Sequence, residues 1–217
     1  MAKTLTEEVY DKLRNDIIQL RIKPGEKVSE AKLAKKYNVS RAPIRNVIQK
    51  LLQEELVIVK PQVGTIIMPI SLKRAKDVLE VRLLLEVFAA EKAAEHISDK
   101  DLKEMESRFE ALDDERLSTA ERGPLLFSTD TFLHQTIWRL CGNEEITNIL
   151  NNYPESVQRI RLATLELDNR LMPSRDEMFA IYQALQRRDP AAAQNAMRTH
   201  IQNIANSIEH VIKSGSE

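Results

Sequence analysis

The chain has 217 residues, enough for one large domain or two small ones. With 42% hydrophobic and 30% charged residues it has the balance of a globular protein, while five glycines and 5% aromatics argue against a β-rich fold and favour a mainly helical one. The formal net charge is −1, but residues 1–70 carry +5 and residues 71–217 carry −6, a division that suits a nucleic-acid reader joined to a control domain.

The single Cys141 excludes an intrachain disulfide and a cysteine-built zinc cluster. No stretch approaches the roughly 18 apolar residues of a membrane span. The N-terminus lacks the apolar core of a signal peptide, so the expected location is the cytoplasm.

Thr4 with Glu7 forms a capping-box pattern, and Val9, Leu13, Ile17 and Leu20 then recur at helical spacing. A first helix is expected over about 5–21, ended by Lys23-Pro24-Gly25. Ser29 can cap a short helix through Tyr37, Asn38-Val39 makes a turn, and Ser40 caps a third helix with Pro43 in its first turn. Arg41, Arg45 and Gln49 are spaced by four and share a face. Ile44, Ile48, Leu51 and Leu52 are expected opposite. Such a helix suits the DNA major groove, with one side packed and the other offering cationic and amide groups to bases or phosphates. Two β-branched runs, 56–59 and 65–68, flank Lys60-Pro61-Gln62-Val63-Gly64 and read as a hairpin with Gly64 at its tip. Three helices and a hairpin make a winged helix-turn-helix.

Past the hinge at Pro69-Ile70-Ser71 the pattern is helical throughout: about 72–97, 98–118, a restart at Gly123-Pro124 running to Leu140, then 144–166. Residues 168–173 read as irregular, Ser174 as the cap of a helix to about Arg187, and Asp189-Pro190 as the turn into a last helix. That is an all-α bundle of six helices.

Ser40-Arg41-Ala42-Pro43-Ile44-Arg45, with Leu33-Ala34, Leu51-Leu52, Leu56-Val57 and Gly64, resembles the GntR family of bacterial transcription regulators. Glu80-Val81-Arg82 with Leu85-Glu86, the run from Asp130 to His134, Gly142-Asn143, and the run from Ala184 to His200 resemble its FCD domains, and six helices point to the VanR-like branch over the FadR-like one. Asn46-Val47 stands where the family usually has Glu-Ala, and Glu55 where a Gly commonly stands; both bear on operator preference and remove no basic residue from the reading face.

The resemblance implies a winged helix-turn-helix DNA-binding domain over residues 1–70 and an all-helical effector-binding and dimerisation domain over 71–217. It implies a cytoplasmic, ligand-responsive regulator, more often a repressor, that binds a palindromic operator as a homodimer and senses a small carboxylic acid. DNA contacts are expected from Ser40, Arg41, Ala42, Arg45, Gln49, Lys50 and Gly64. Arg82 is the expected carboxylate clamp, ahead of Arg139, Arg159 and Arg161. Metal-binding FCD domains use one Asp and three His. Asp130, His134 and His200 match three of those places, and Met178 stands at the fourth.

A thioether replaces imidazole poorly on Zn²⁺, Ni²⁺ or Mn²⁺. Three readings stay open: a three-ligand divalent-ion site, a metal-free site that bonds an effector directly, and a satisfied buried cluster. Asp176 or Glu177, beside Met178, could supply a carboxylate, but their helix faces differ from its own. A constitutive DNA-binding protein with a purely dimerising second domain is the first alternative function. An Asp/His/His metal enzyme is the other, though no general base or oxyanion arrangement is visible.

Overall fold

The computed structural model describes residues 3–151, 159 and 170–214. The chain divides into two compact units that part between Ser71 and Leu72, with Arg159 grouped in the first.

In the first unit, α1 (Leu5–Ile18) starts at the Thr4–Glu7 capping box. The Glu7 amide donates to Thr4 Oγ1 at 3.3 Å, and the Thr4 amide donates to Glu7 Oε2 at 2.8 Å. The helix stops earlier than Lys23-Pro24 implies, because Leu20 already adopts a left-handed backbone with φ 54°. Next come α2 (Glu30–Tyr37), capped by Ser29, and α3 (Arg41–Gln53). Between them Asn38 takes φ 53°, a conformation its short polar side chain tolerates. The hairpin is β2 (Val57–Lys60) with β3 (Gly64–Ile67), in the register Val57↔Ile67 to Lys60↔Gly64.

A third strand, β1 (Lys27–Val28), pairs with the other edge of β3. Two residues carry no period, so sequence gives no sign of it. Val9, Leu13, Ile17, Leu33, Ile44, Val47, Ile48, Leu51, Leu56, Val57 and Ile67 form the core of this unit. On α3, Val47 completes the packed face and Leu52 is exposed, contrary to the expectation.

The second unit is helical. Its described elements are α4 (Leu72–His96), α5 (Asp99–Leu112), α6 (Thr119–Leu140), α7 (Glu144–Asn151), α8 (Leu171–Gln186) and α9 (Pro190–Ser214). This gives six helices among the described residues, matching the mainly α architecture expected. The portion of the 144–166 helix past residue 151 falls, apart from Arg159, outside them. Three boundaries differ from expectation. Helix α5 ends at Leu112, with Asp113 as its C-cap, instead of near 118. Pro124 lies inside α6, because a capping box between Ser118 and Glu121 starts that helix a turn earlier. Ser174 does not cap α8; it is buried inside a helix that begins at Leu171, with Pro173 in the first turn, where a missing N–H is tolerated. Among the described residues, no helix is long and apolar enough to cross a membrane.

The most extensive packing in this unit is α4 against α9. Ala89, Ala90, Ala93 and Ala94 on α4, and Ala193 and Met197 on α9, are fully buried. Small side chains let two helix backbones approach closely, and such a seam has no room for added methylenes. Ala93→Leu is expected to lower stability by about 1–3 kcal/mol, measured by urea unfolding, while Ser107→Ala at an exposed position of α5 changes it by less than about 0.5 kcal/mol.

Candidate functional site

Two groups of residues carry chemistry. The first is the outer surface of α3. Ser40, Arg41, Ala42, Arg45, Gln49, Lys50 and Gly64 are all exposed. They are not equivalent. Arg45 is engaged by Glu30 at the start of α2: its Nε donates to Oε1 at 3.1 Å and its Nη2 to Oε2 at 3.0 Å. The pair is solvent-exposed, so it aligns the guanidinium at little energetic cost to separate. Lys50 turns toward α1, with its Nζ 5.3 Å from the centre of the Tyr10 ring. Gly64 has φ 104°, a conformation that disfavours any side chain at the hairpin tip.

The second group lies inside the helical unit. Asp130 and His134 stand one turn apart on α6, and His200 reaches them from α9; all three are buried. Asp130 Oδ1 is 3.4 Å from His134 Nε2 and 3.4 Å from His200 Nε2, and the two Nε2 atoms are 3.3 Å apart. Each imidazole is held from behind. His134 Nδ1 bonds Glu86 of α4, and His200 Nδ1 bonds Glu177 of α8 at 3.0 Å. A carboxylate accepts, so each Nδ1 carries the proton and each Nε2 offers its lone pair. Burial pushes the His200 imidazole down to about 4, which keeps it neutral near pH 7.

The two supporting carboxylates are themselves fixed. Glu86 is fully buried and also accepts from Arg82 Nε and, at 3.0 Å, from Trp138 Nε1. Burial raises its pKa, but Arg82 and His134 outweigh burial and hold it well below the usual carboxylate range. Glu177 accepts both Nη groups of Arg170 at 3.0 Å and Asn203 Nδ2 at 2.8 Å. Burial opposes its ionisation, and His200, Arg170 and Asn203 bring its pKa below normal.

Three acceptor atoms with no proton between them converge on one point. A tetrahedral ion with bonds of about 2.0–2.1 Å holds neighbouring donors roughly 3.3–3.4 Å apart, so the donor set fits a divalent metal. Met178, at the place of a fourth ligand, is fully buried beside Glu177 on α8. The triad assembles without it. Glu177 lies on a different face from Met178 and orients His200. Glu86 had one sequence signal, an acidic residue four positions after Arg82 within an apolar stripe, but its partner His134 is 48 residues away.

Arg82 is buried with the triad. Its Nε is spent on Glu86, while Nη1 and Nη2 have no hydrogen-bond partner among the described residues. Its charge lies close enough to help depress the pKa of His200. Two of the other candidate arginines have partners of their own. Arg139 pairs with Asp101 at 2.7 Å on the surface. Arg159 donates to the Met68 carbonyl in the first unit. Arg161 lies outside the described residues. Removing Glu86 leaves a buried guanidinium without its counter-ion. Glu86→Ala is therefore expected to cost about 3–5 kcal/mol in urea unfolding. Asp77→Ala, which breaks an exposed pair with Lys73, should cost less than about 1 kcal/mol.

Comparison with known proteins matches residues 5–67 to the gntR family of bacterial regulatory proteins and residues 77–203 to the FCD domain. The chain is 27% identical over 218 residues to the HTH-type transcriptional repressor RspR of Escherichia coli K12, covering 100% of this chain and 94% of that protein. It is 25% identical over 216 residues to the gluconate operon transcriptional repressor of Bacillus subtilis, covering 96% and 86%. The solved structure of McbR/YncC from E. coli shares the fold, with a TM-score of 0.72 at 18% identity over 96% of this chain and 99% of that one. A GntR regulator from Rhodococcus sp. RHA1 gives 0.73 at 20% identity, covering 94% of this chain and 97% of that one. The winged first unit and the helical second one are thus those of a DNA-binding transcriptional regulator, and the chain belongs to the GntR family of bacterial regulatory proteins, with an FCD domain and no enzymatic function.

Proposed function

We propose that this protein is a ligand-responsive repressor that works in the cytoplasm as a homodimer on a two-fold operator, and that a small carboxylic acid is its effector. The observation that carries the reading is the buried Arg82 fork, whose Nη1 and Nη2 have no hydrogen-bond partner among the described residues, beside three convergent acceptors. A fork with two free donors matches a carboxylate bidentately. Asp130, His134 and His200 would hold a divalent ion, which would add positive charge for an acid to bind against. The residues 1–70 and 71–217 divide this work as DNA reader and as sensor and dimeriser. The two repressor-named relatives support the sign of regulation.

Helix α4 links the parts. Its inner face carries Arg82 and Glu86. On its outer face Val81, Leu84 and Phe88, at i, i+3 and i+7, are exposed at 39%, 73% and 40%. Ile149 on α7 is exposed as well, and α7 packs near α4. A second copy, related by a two-fold axis, would cover this stripe. The effector then acts by population shift, favouring the arrangement of the dimer for which it has higher affinity.

Met178 favours a rival reading, a DNA-binding protein whose helical domain is only a scaffold. The two readings predict different things. As a sensor, protein purified without a histidine tag holds about one divalent ion per chain by elemental analysis, loses it in Asp130→Ala, and binds it more tightly in Met178→His. One acid in a carboxylate panel raises its melting point, by about 2.7 kcal/mol of stabilisation at 100 times Kd, and Arg82→Ala abolishes that shift. A scaffold shows neither response. Separately, Leu84→Glu is expected to convert dimer to monomer in sedimentation at micromolar concentration. A dimer that survives the charge places the interface elsewhere.

A further inference from the structure

Helix α3 has a middle that the arginines do not occupy. Its seam against the core is Ile44, Val47, Ile48 and Leu51. At about 100° per residue, the side chains opposite that seam are Ala42, Asn46, Gln49 and Gln53, and all four are exposed. Arg41 and Arg45 flank this strip on one side. Lys50 flanks it on the other, turned over Tyr10. The strip itself is a methyl followed by three amides.

Reach separates these positions. When a helix enters the major groove, the residues opposite its packed seam come closest to the groove floor. A short side chain can touch a base edge only from there, whereas flanking positions need the length of Arg or Lys. Asn46 is the short polar residue at that place, one turn after Ala42. Neither Asn46 nor Gln49 has a hydrogen-bond partner among the described residues, while Arg45 already gives Nε and Nη2 to Glu30. A free carboxamide offers one donor edge and one acceptor at the spacing of adenine N7 and N6, and pairs with both.

We propose that Asn46 is a base-reading residue of this regulator, taking an adenine through its N6 amino group and N7, with the Ala42 methyl beside it. The inference rests on α3 being the groove-entering helix and adds a residue that the arginine face does not supply. Each half-site then carries an A·T pair fixed by Asn46, separate from any guanine taken by an arginine.

The test is selection from a random double-stranded DNA pool with the full-length protein, for wild type, Asn46→Ala and Arg45→Ala. Asn46 is exposed in a helix interior, so the alanine variant folds, and equal melting points verify this. Wild type should enrich a two-fold sequence with one invariant adenine per half-site. Asn46→Ala should lose that column alone, binding the best site about 5- to 150-fold more weakly, with an unchanged salt dependence because no phosphate contact is removed. Replacing that adenine by 7-deazaadenine should weaken wild type and leave Asn46→Ala unaffected. The same selected sequence for wild type and Asn46→Ala overturns the inference. So does a loss that is uniform over sequences and lowers the salt slope by about one. A wild type that enriches no sequence overturns the operator reading, and this inference with it.

Discussion

Glu86 is a carboxylate with no access to water, and the interior of the helical unit is arranged around making that tolerable. Burying an isolated ion costs several kcal/mol even after relaxation. Here Arg82, His134 and Trp138, on α4 and α6, all donate to it. The arrangement has a consequence beyond its own stability. By accepting a hydrogen bond from Nδ1–H of His134, Glu86 leaves the lone pair of Nε2 facing Asp130 and His200. Glu177 does the same to His200 from α8, and is itself fixed by Arg170 and Asn203. Two carboxylates thus press two imidazole lone pairs toward one point beside a third acceptor. A divalent ion held there, as proposed, would relieve the mutual repulsion of such atoms.

The same constraint explains why Arg82 is half used. Its Nε is committed to the charge that justifies its burial, and its Nη groups remain. A guanidinium has five N–H donors in a rigid plane, so one edge can serve the fold while another serves a ligand. Position on α4 does the rest. Arg82 and Glu86 face inward, and Val81, Leu84 and Phe88 face outward. A long helix is stiff, so in the proposed sensor an effector pulling on one face would displace the other.

Helix α3, the proposed DNA-reading helix, is built on the opposite principle. Its functional atoms stay in water, where a pair such as Arg45–Glu30 is worth little and can be exchanged for contacts with DNA. Packing of α3 against α1 and the sheet fixes where the helix lies, and the side chains on it remain free to choose partners. The interior site is costly to alter, and the surface one is cheap.

Sequence alone determined the order and type of nearly every element. Capping signals, helical spacing and the β-branched runs are local, and the local rules agree with the global fold for α1 through the hairpin. It also paired Asp130 with His134, because Asp and His at i, i+4 share a face, while His200 joined them only through the resemblance to metal-binding FCD domains. What it left out depends on residues far apart in the chain. Strand β1 exists only because β3 has a free edge beside it. Pro124 and Ser174 mislead because capping and burial elsewhere override their local preference. The roles of Glu86 and Glu177 follow from helix packing across 48 and 23 residues of sequence, which no spacing rule encodes. Periodicity says which face of a helix is buried; only the packed structure says which buried charge meets which imidazole, because that pairing is set by the desolvation cost of leaving either one alone.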